Sequence, residues 1–303
     1  IGSPLLSFLL CSLCTPLQIA ENIYKRVGNV LKDSPFAKGY SICLDEENFD
    51  IIIELLKEMD GVTLKNYSEN DQEKQAKYKL YRFVGPAGDT IVIKYYPNTT
   101  RMQMQGKPLF IFNEVVSMLS ENNDKQDDVV DASLKYCNID MKEEDIYEEM
   151  EEVLGSDLYK FLSKSQRIIL STSFILSKLE GNLGDNSVLL QPANRVYEGF
   201  VKKIYAQKGL ECDGEKQLGK FFDWPDKSHP EMKSLYASTL DKETLEGFTS
   251  MFKFYSIYRH PYMHATAYDY STAIIENRDV AEEKLKEVIT SMKSWYKWYS
   301  EMK

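Results

Sequence analysis

The sequence is poor in the residues that build metal sites and disulfide frameworks. It has three histidines and five cysteines in 303 residues, and the cysteines are scattered at positions 11, 14, 43, 137 and 212. An odd, scattered set argues against a disulfide-stabilised secreted domain and favours a cytoplasmic protein. Cys11 and Cys14 have the CxxC spacing, but no second pair or nearby histidine completes a zinc site, so two core cysteines are the better interpretation. We therefore expect neither a metal nor another cofactor.

Long apolar runs are also scarce. Beyond the apolar opening, residues 1–17, nothing approaches the roughly 20 apolar residues that a membrane span needs. The opening has no basic leader, which favours a buried helix left from a truncated domain over a signal peptide. The first residue is isoleucine, which predicts that the natural start lies upstream. No serine or cysteine stands in a nucleophile-elbow context, so a triad hydrolase has no support.

Negative charge is concentrated in one segment. The net charge is −10, yet residues 121–157 alone carry fourteen acidic residues and three lysines, so the rest of the chain sums to about +1. The overall acidity therefore neither indicates nor excludes a nucleic-acid partner. The segment itself is interpreted as a solvated face, with docking of a basic partner or repulsion of RNA as the alternatives.

The hydrophobic pattern predicts an α+β first half. Residues 18–32 and 45–59 have helical spacing, and residues 62–67, 77–84, 90–95 and 101–105 are short and rich in β-branched or aromatic residues. A helix follows over residues 109–119. The order of one helix, four strands and one helix predicts a small α+β domain over residues 40–122, after a helical segment at 1–39.

The second half shows almost no strand pattern. The spacing predicts helices over residues 143–154, 156–179, 194–207, 244–258 and 281–299, and Pro261 suits the first turn of a further helix that runs to about residue 275. These patterns predict an all-α bundle over residues 123–303.

Two of the three histidines lie in one stretch, residues 258–264, with the sequence YRHPYMH. Arg259 and His264 have four residues between them, an RxxxxH pattern, and His260 follows the arginine. A histidine that titrates near neutrality can take a proton from an attacking hydroxyl, and a guanidinium can bind the phosphate and stabilise its added charge. With no metal cluster in the pattern, the obvious reaction is attack by a ribose 2′-hydroxyl, which restricts the substrate to RNA.

The same residues have a plain structural interpretation. An arginine and two histidines at the end of a helix can simply cap it, because the carbonyl end of a helix favours cations. The RxxxxH pattern is short and common by chance, so spacing alone favours the structural interpretation.

Several stretches, which follow one another in the same order as in the family, resemble the RNase LS toxin family of bacterial toxin–antitoxin systems, of the RnlA/LsoA type. They are residues 99–109 (TTRMQMQGKPL), 196–202 (VYEGFVK), 222–223 (FD) and 253–264 (KFYSIYRHPYMH). The resemblance is discontinuous and extends over about residues 40–295. It implies a TBP-like α+β domain followed by a C-terminal HEPN bundle that carries the R-x4-H motif.

The resemblance also implies an activity and partners. These are metal-independent cleavage of RNA, chiefly mRNA, a homodimer in which two motifs meet in one cleft, and a cognate antitoxin protein that occludes it. Arg259 and His264 carry over as catalytic residues, and Glu198 is a further candidate that could orient a catalytic group. His260 either assists or caps the helix. The commoner fate of a helix carboxylate such as Glu198 is a solvated one.

One departure and one alternative accompany this interpretation. The family is expected to have a further small α/β domain before residue 40, where this sequence has only about 40 residues, which leaves the source of RNA selectivity open. The alternative function is a HEPN-like scaffold that no longer cleaves and instead binds nucleotides or proteins. The intact Arg259 and His264 pair favours the ribonuclease.

Overall fold

A computed structural model describes residues 39–70, 77–86, 88–121, 126–180, 183–212, 218–226, 229–263 and 274–302. Its first part consists of β1 (Tyr40–Cys43), α1 (Glu46–Glu58), β2 (Thr63–Asn70), β3 (Tyr78–Val84), β4 (Thr90–Tyr96), β5 (Arg101–Gly106) and α2 (Phe110–Glu121). Its second part consists of α3 (Gln126–Tyr136), α4 (Glu143–Leu154), α5 (Ser156–Phe161), α6 (Lys164–Leu176), α7 (Leu190–Ala206), β6 (Phe222–Asp226), β7 (His229–Met232), α8 (Ser234–Ala237), α9 (Lys242–Met263) and α10 (Arg278–Glu301). The helix predicted over residues 18–32 lies outside the described residues.

The first part is built on an antiparallel sheet with strand order β1-β5-β4-β3-β2. Alternation determines its two faces: Met102 and Met104 of β5 are buried, whereas Gln103 and Gln105 between them are not. The buried face is covered by helices, beginning with α1, whose N-cap Asp45 accepts a hydrogen bond from the backbone N–H of Asn48 (2.8 Å). The predicted α+β character of this part is confirmed.

Helix α2 joins the two parts of the protein. Phe112 and Val115 are among its buried side chains, and the helix packs on both α6 and α7 of the second part. The buried hydrophobic residues of the sheet and of the helices form one continuous cluster. No helix in the described part of the chain is long and apolar enough to cross a membrane.

Two strand predictions were wrong. The four-strand prediction missed β1, whose four residues are too few to show a clear alternation, although they pair with β5 along their whole length. The all-α prediction for the second part missed the β6–β7 hairpin, whose two strands each contain a proline, Pro225 and Pro230. The three missed strands, β1, β6 and β7, are short, and each depends on a partner strand for its hydrogen bonds.

Two helix predictions also need correction. The single helix predicted over residues 156–179 is two helices, because Ser163 and Gln166 form a capping box that starts α6. Helix α9 was predicted to stop before Pro261, but it continues through Pro261 to Met263. A proline in the last turn costs one backbone hydrogen bond, which a long packed helix can tolerate. Ile274 and Ile275, at the end of the predicted next helix, are not helical.

Gly106 ends β5 at a position with no room for a side chain. Its φ is 153°, and a Cβ there would lie 2.5 Å from the carbonyl oxygen of Thr90. Its own carbonyl accepts a hydrogen bond from the Tyr136 hydroxyl. Gly106→Ala should therefore lower the free energy of unfolding by about 1–3 kcal/mol, measured by urea denaturation. Gly219→Ala is the control, since nothing lies within 4 Å of its Cβ position. Equal stability of the two variants would contradict this account.

Asp89 should make stability depend on pH. The carboxyl is buried in the β3–β4 turn and accepts a hydrogen bond from the backbone N–H of Ile111 (2.9 Å). Burial raises its pKa from 3.8 to about 6, so over this window the folded protein retains a proton that the unfolded chain releases. Relative to Asp89→Asn, the free energy of unfolding should fall by roughly 2–3 kcal/mol as the pH rises from about 4 to about 7. If the free energies of unfolding of the parent and of Asp89→Asn changed with pH in the same way, this account of Asp89 would be wrong.

Candidate functional site

Helices α7 and α9 lie side by side and antiparallel. At one end of their contact, Tyr205 stacks on Phe248 with ring centroids 4.1 Å apart, and its hydroxyl donates to the Phe248 carbonyl (2.5 Å). At the other end, the Asn194 side-chain amide donates to the carbonyl of Tyr258 (3.1 Å). The start of α7 therefore lies beside the end of α9, one residue before Arg259.

The structure places the predicted site residues as follows. Arg259 and His260 lie in the last turns of α9, and His264 lies outside the described residues. Glu198 lies on α7 one turn after Asn194, and helical spacing puts both on the same side of the helix. The structure thus brings the helix that carries Glu198 against the helix that carries Arg259.

Glu198 is largely buried and ion-paired, and it is not the solvated carboxylate that helix statistics favour. Its side chain is 14% exposed, and a carboxylate oxygen lies 2.7 Å from Lys202 Nζ. A half-buried carboxylate of this kind is held in place more firmly than an exposed one, because water screens it less. The cation that Glu198 contacts in the structure is Lys202 of the same helix.

A polar cavity of about 560 Å³ lies beside Glu198, between the two parts of the protein. Charged residues from α2, from α7 and from the turn after α1 line it: Asp60, Glu114, Glu121, Arg195, Glu198 and Lys202. Arg195 closes one side through an ion pair with the buried Glu114 (2.8 Å). The cavity has room for a polar group. Two of the side chains that line it are cationic and four are carboxylates.

Ile275 and Glu276, which follow the undescribed residues 264–273, are hydrogen-bonded to the short stretch just before α7. Asn186 donates its backbone N–H to the Ile275 carbonyl (2.8 Å) and its side-chain amide to the Glu276 carbonyl (3.0 Å). The neighbouring Asp185 accepts from the Ile275 backbone N–H (3.3 Å). With Asn194 on Tyr258, these bonds hold both described flanks of residues 264–273 against the same short stretch, residues 185–194.

Sequence reasoning missed these three polar residues. Asp185, Asn186 and Asn194 are all buried. Asp185 and Asn186 lie between two predicted helices, 156–179 and 194–207, and Asn194 was predicted only as the start of the second. Buried polar side chains are unusual without partners, but their burial is visible only once the fold is known.

Two other features lie on the surface. The third histidine, His229, has a side chain that is 65% exposed, and its Nδ1 lies 2.8 Å from the Asp226 carboxylate at the hairpin. The described acidic residues of the 121–157 segment are exposed or half-buried, as a solvated face requires. Among the residues that the structure describes, no group of three or more His, Cys, Asp or Glu side chains could hold a metal ion.

The comparison with known families identifies the chain. The family model described as RNase LS, bacterial toxin, matches residues 38–124, and the model described as RNase LS, bacterial toxin DBD domain, matches residues 142–266. The chain belongs to the RNase LS toxin family.

Curated relatives agree with this assignment. The chain is 26% identical over 214 residues to mRNA endoribonuclease LsoA of Escherichia coli O157:H7, a match that covers 70% of this chain and 59% of the relative. It is 21% identical over 215 residues to mRNA endoribonuclease toxin LS of Escherichia coli strain K12, covering 70% and 58%. The chain thus spans a little under three-fifths of the length of these relatives.

A solved structure supports the fold alone. The crystal structure of Escherichia coli toxin LsoA in complex with T4 phage antitoxin Dmd aligns with a TM-score of 0.51 at 20% identity. The alignment covers 88% of this chain and 100% of that chain.

Proposed function

We propose that the chain is the toxin ribonuclease of a toxin–antitoxin system and cleaves messenger RNA. The observation that carries the proposal is the RxxxxH pattern of Arg259 and His264. Its arginine lies in the last turns of α9, and the Asn194 side chain ties the preceding residue, Tyr258, to α7 (3.1 Å to the Tyr258 carbonyl). Two relatives are named mRNA endoribonucleases, which supports the same activity here.

The proposed reaction needs only acid–base groups and a positive charge. His264 accepts the proton of a ribose 2′-hydroxyl, whose oxygen attacks the adjacent phosphorus. The bond to the 5′-oxygen breaks, and that oxygen takes up a proton, leaving a 2′,3′-cyclic phosphate and a 5′-hydroxyl. Arg259 binds the phosphate and stabilises the added charge in the transition state. Glu198 orients these groups, and His260 assists beside Arg259.

The proposed domain arrangement follows the same reasoning. Residues 123–303 form the HEPN catalytic bundle, apart from the β6–β7 hairpin, and residues 40–122 form a TBP-like domain. Each chain supplies one Arg259 and one His264, so a homodimer would bring two copies of the motif to one cleft. We propose that the active protein is this dimer, that it works in the cytoplasm, and that it is kept inactive by a cognate antitoxin. The reported complex of LsoA with the antitoxin Dmd supports the last point.

Incubation of the purified protein with a mixed RNA pool in excess EDTA tests the function. The proposal predicts fragments that end in cyclic phosphate and 5′-hydroxyl groups. No cleavage by a folded, dimeric protein would contradict it and would favour the alternative, a HEPN-like scaffold that binds nucleotides or proteins.

A further inference from the structure

The sheet has a second face that helices of the described part do not bury. We call it the outer face and define it by the residues that alternate with the buried ones on β1 and β3–β5. On those strands no residue of this face is buried: each is exposed or half-buried. The opposite face carries the core residues, such as Phe83, Ile93 and Met104. The outer face is thus a surface of the described part of the chain.

The charges on the outer face all have one sign. Arg82 on β3, Lys94 on β4 and Arg101 on β5 belong to it, and no described strand residue of this face is acidic. Among the described residues, no carboxylate lies within salt-bridge distance of any of the three. Outside residues 121–157 the chain is close to neutral, so an acid-free surface with three cations is a local concentration of positive charge.

The register arranges the three cations in a diagonal line. Arg101 pairs with Tyr96, and Lys94 lies two residues before Tyr96 on the same strand. Lys94 pairs with Leu80, and Arg82 lies two residues after Leu80. Each cation is therefore a diagonal neighbour of the next, at about 7–8 Å between backbones. Such spacing suits successive phosphates of an extended strand.

Aromatic rings lie at one end of this line. Tyr78 and Tyr96 have ring centroids 5.6 Å apart, and Lys94 Nζ lies 5.6 Å from the centre of the Tyr78 ring. Both rings are half-buried and belong to the outer face. Beside the line lie the amide side chains of Gln103 and Gln105, which can donate and accept hydrogen bonds.

We propose that the outer face binds single-stranded RNA, with Arg82, Lys94 and Arg101 on the phosphates and Tyr78 and Tyr96 stacked on bases. Cations that follow the backbone, combined with aromatic rings for unpaired bases, are the features that bind single strands on a sheet. The choice of RNA rests on the proposed ribonuclease function. The outer face thus holds substrate on the first part of the chain, whereas Arg259 lies on α9 of the second part.

The test measures binding separately from cleavage. The 303-residue chain carries His264→Ala, and its affinity for a fluorescent single-stranded RNA of about a dozen nucleotides is measured by anisotropy over a range of salt concentrations. Adding Arg82→Gln, Lys94→Gln and Arg101→Gln should weaken binding about tenfold or more. It should also reduce the slope of log affinity against log salt by about 2, since each phosphate contact contributes about 0.7.

A matched control has the same change in charge elsewhere. Lys135→Gln, Lys242→Gln and Lys297→Gln remove three exposed lysines whose partners are carboxylates one turn away, and binding should change less than about twofold. Arg101→Gln alone should give about a third of the slope change, so the test does not depend on the triple variant folding.

Three results would overturn the proposal. The triple variant on the outer face could bind RNA as tightly as its parent, both triple variants could lose RNA affinity equally, or the outer-face variant could lose binding to another protein while it keeps its RNA affinity. The two proposals fail separately. If the parent chain does not cut RNA but binds it through this face, only the ribonuclease fails. If the face substitutions, placed in the active chain, leave cleavage and KM unchanged, only this inference fails.

Discussion

Replacing His264 with alanine should lower the rate constant of RNA cleavage by about 10²–10⁴-fold, the usual contribution of a general base. The reason is that an imidazole can both accept and return a proton near neutral pH, and the proposed mechanism gives that role to His264. The measurement is single-turnover cleavage of a labelled RNA in EDTA, by variants whose Tm equals that of the parent protein. A rate within about threefold of the parent would show that the base lies elsewhere.

Companion variants make this result specific. Arg259→Lys keeps the charge but loses the planar fork, so it should cleave more slowly than the parent and faster than Arg259→Ala. His229→Ala is the matched histidine control, because His229 is exposed and bound to Asp226 on the hairpin, and its rate should be unchanged. Combining Arg259→Ala with His264→Ala should cost much less than the product of the two losses, since the residues act together.

Phe248→Ala should lower the free energy of unfolding by about 3–5 kcal/mol, the usual cost of removing a buried phenyl ring. Phe248 is 1% exposed and stacks on Tyr205, whose hydroxyl binds the Phe248 carbonyl. The substitution therefore empties a site between α7 and α9, the two helices that carry the candidate site. Urea denaturation measures the loss.

Ile257→Ala is the control on the same helix. Ile257 is 57% exposed, so removing its side chain should change stability by less than about 0.5 kcal/mol. If Phe248→Ala were as stable as Ile257→Ala, the packing of α7 against α9 described here would be wrong.

The elements that the sequence predicted well are those with strong local signals. Helix α1 has Asp45 as its cap and an apolar stripe, and α10 repeats its apolar residues over six turns. The elements that it missed depend on distant partners. Strand β1 needs β5, about sixty residues away, and the hairpin needs Phe252 of α9, whose ring lies 3.9 Å from that of Phe222.

The candidate site divides in the same way. Arg259, His260 and His264 lie within six residues, so their pattern and its family resemblance are visible in the sequence. The supporting bonds are not, because Asn194 and Tyr258 are 64 residues apart and Asp185 and Ile275 are 90 apart. The diagonal of cations on the sheet was equally hidden, since it exists only in the register of three strands.

The central claim is that this chain cleaves RNA by attack of a 2′-hydroxyl. The most direct measurement uses an RNA whose cleavage site has been mapped and a second RNA that lacks one hydroxyl, the 2′-hydroxyl at that site. The account predicts that the second RNA is not cut at this linkage, while other sites in the same molecule are cut at unchanged rates. Equal cutting of both RNAs at the modified linkage would contradict the account, because a different nucleophile would then have to attack the phosphate.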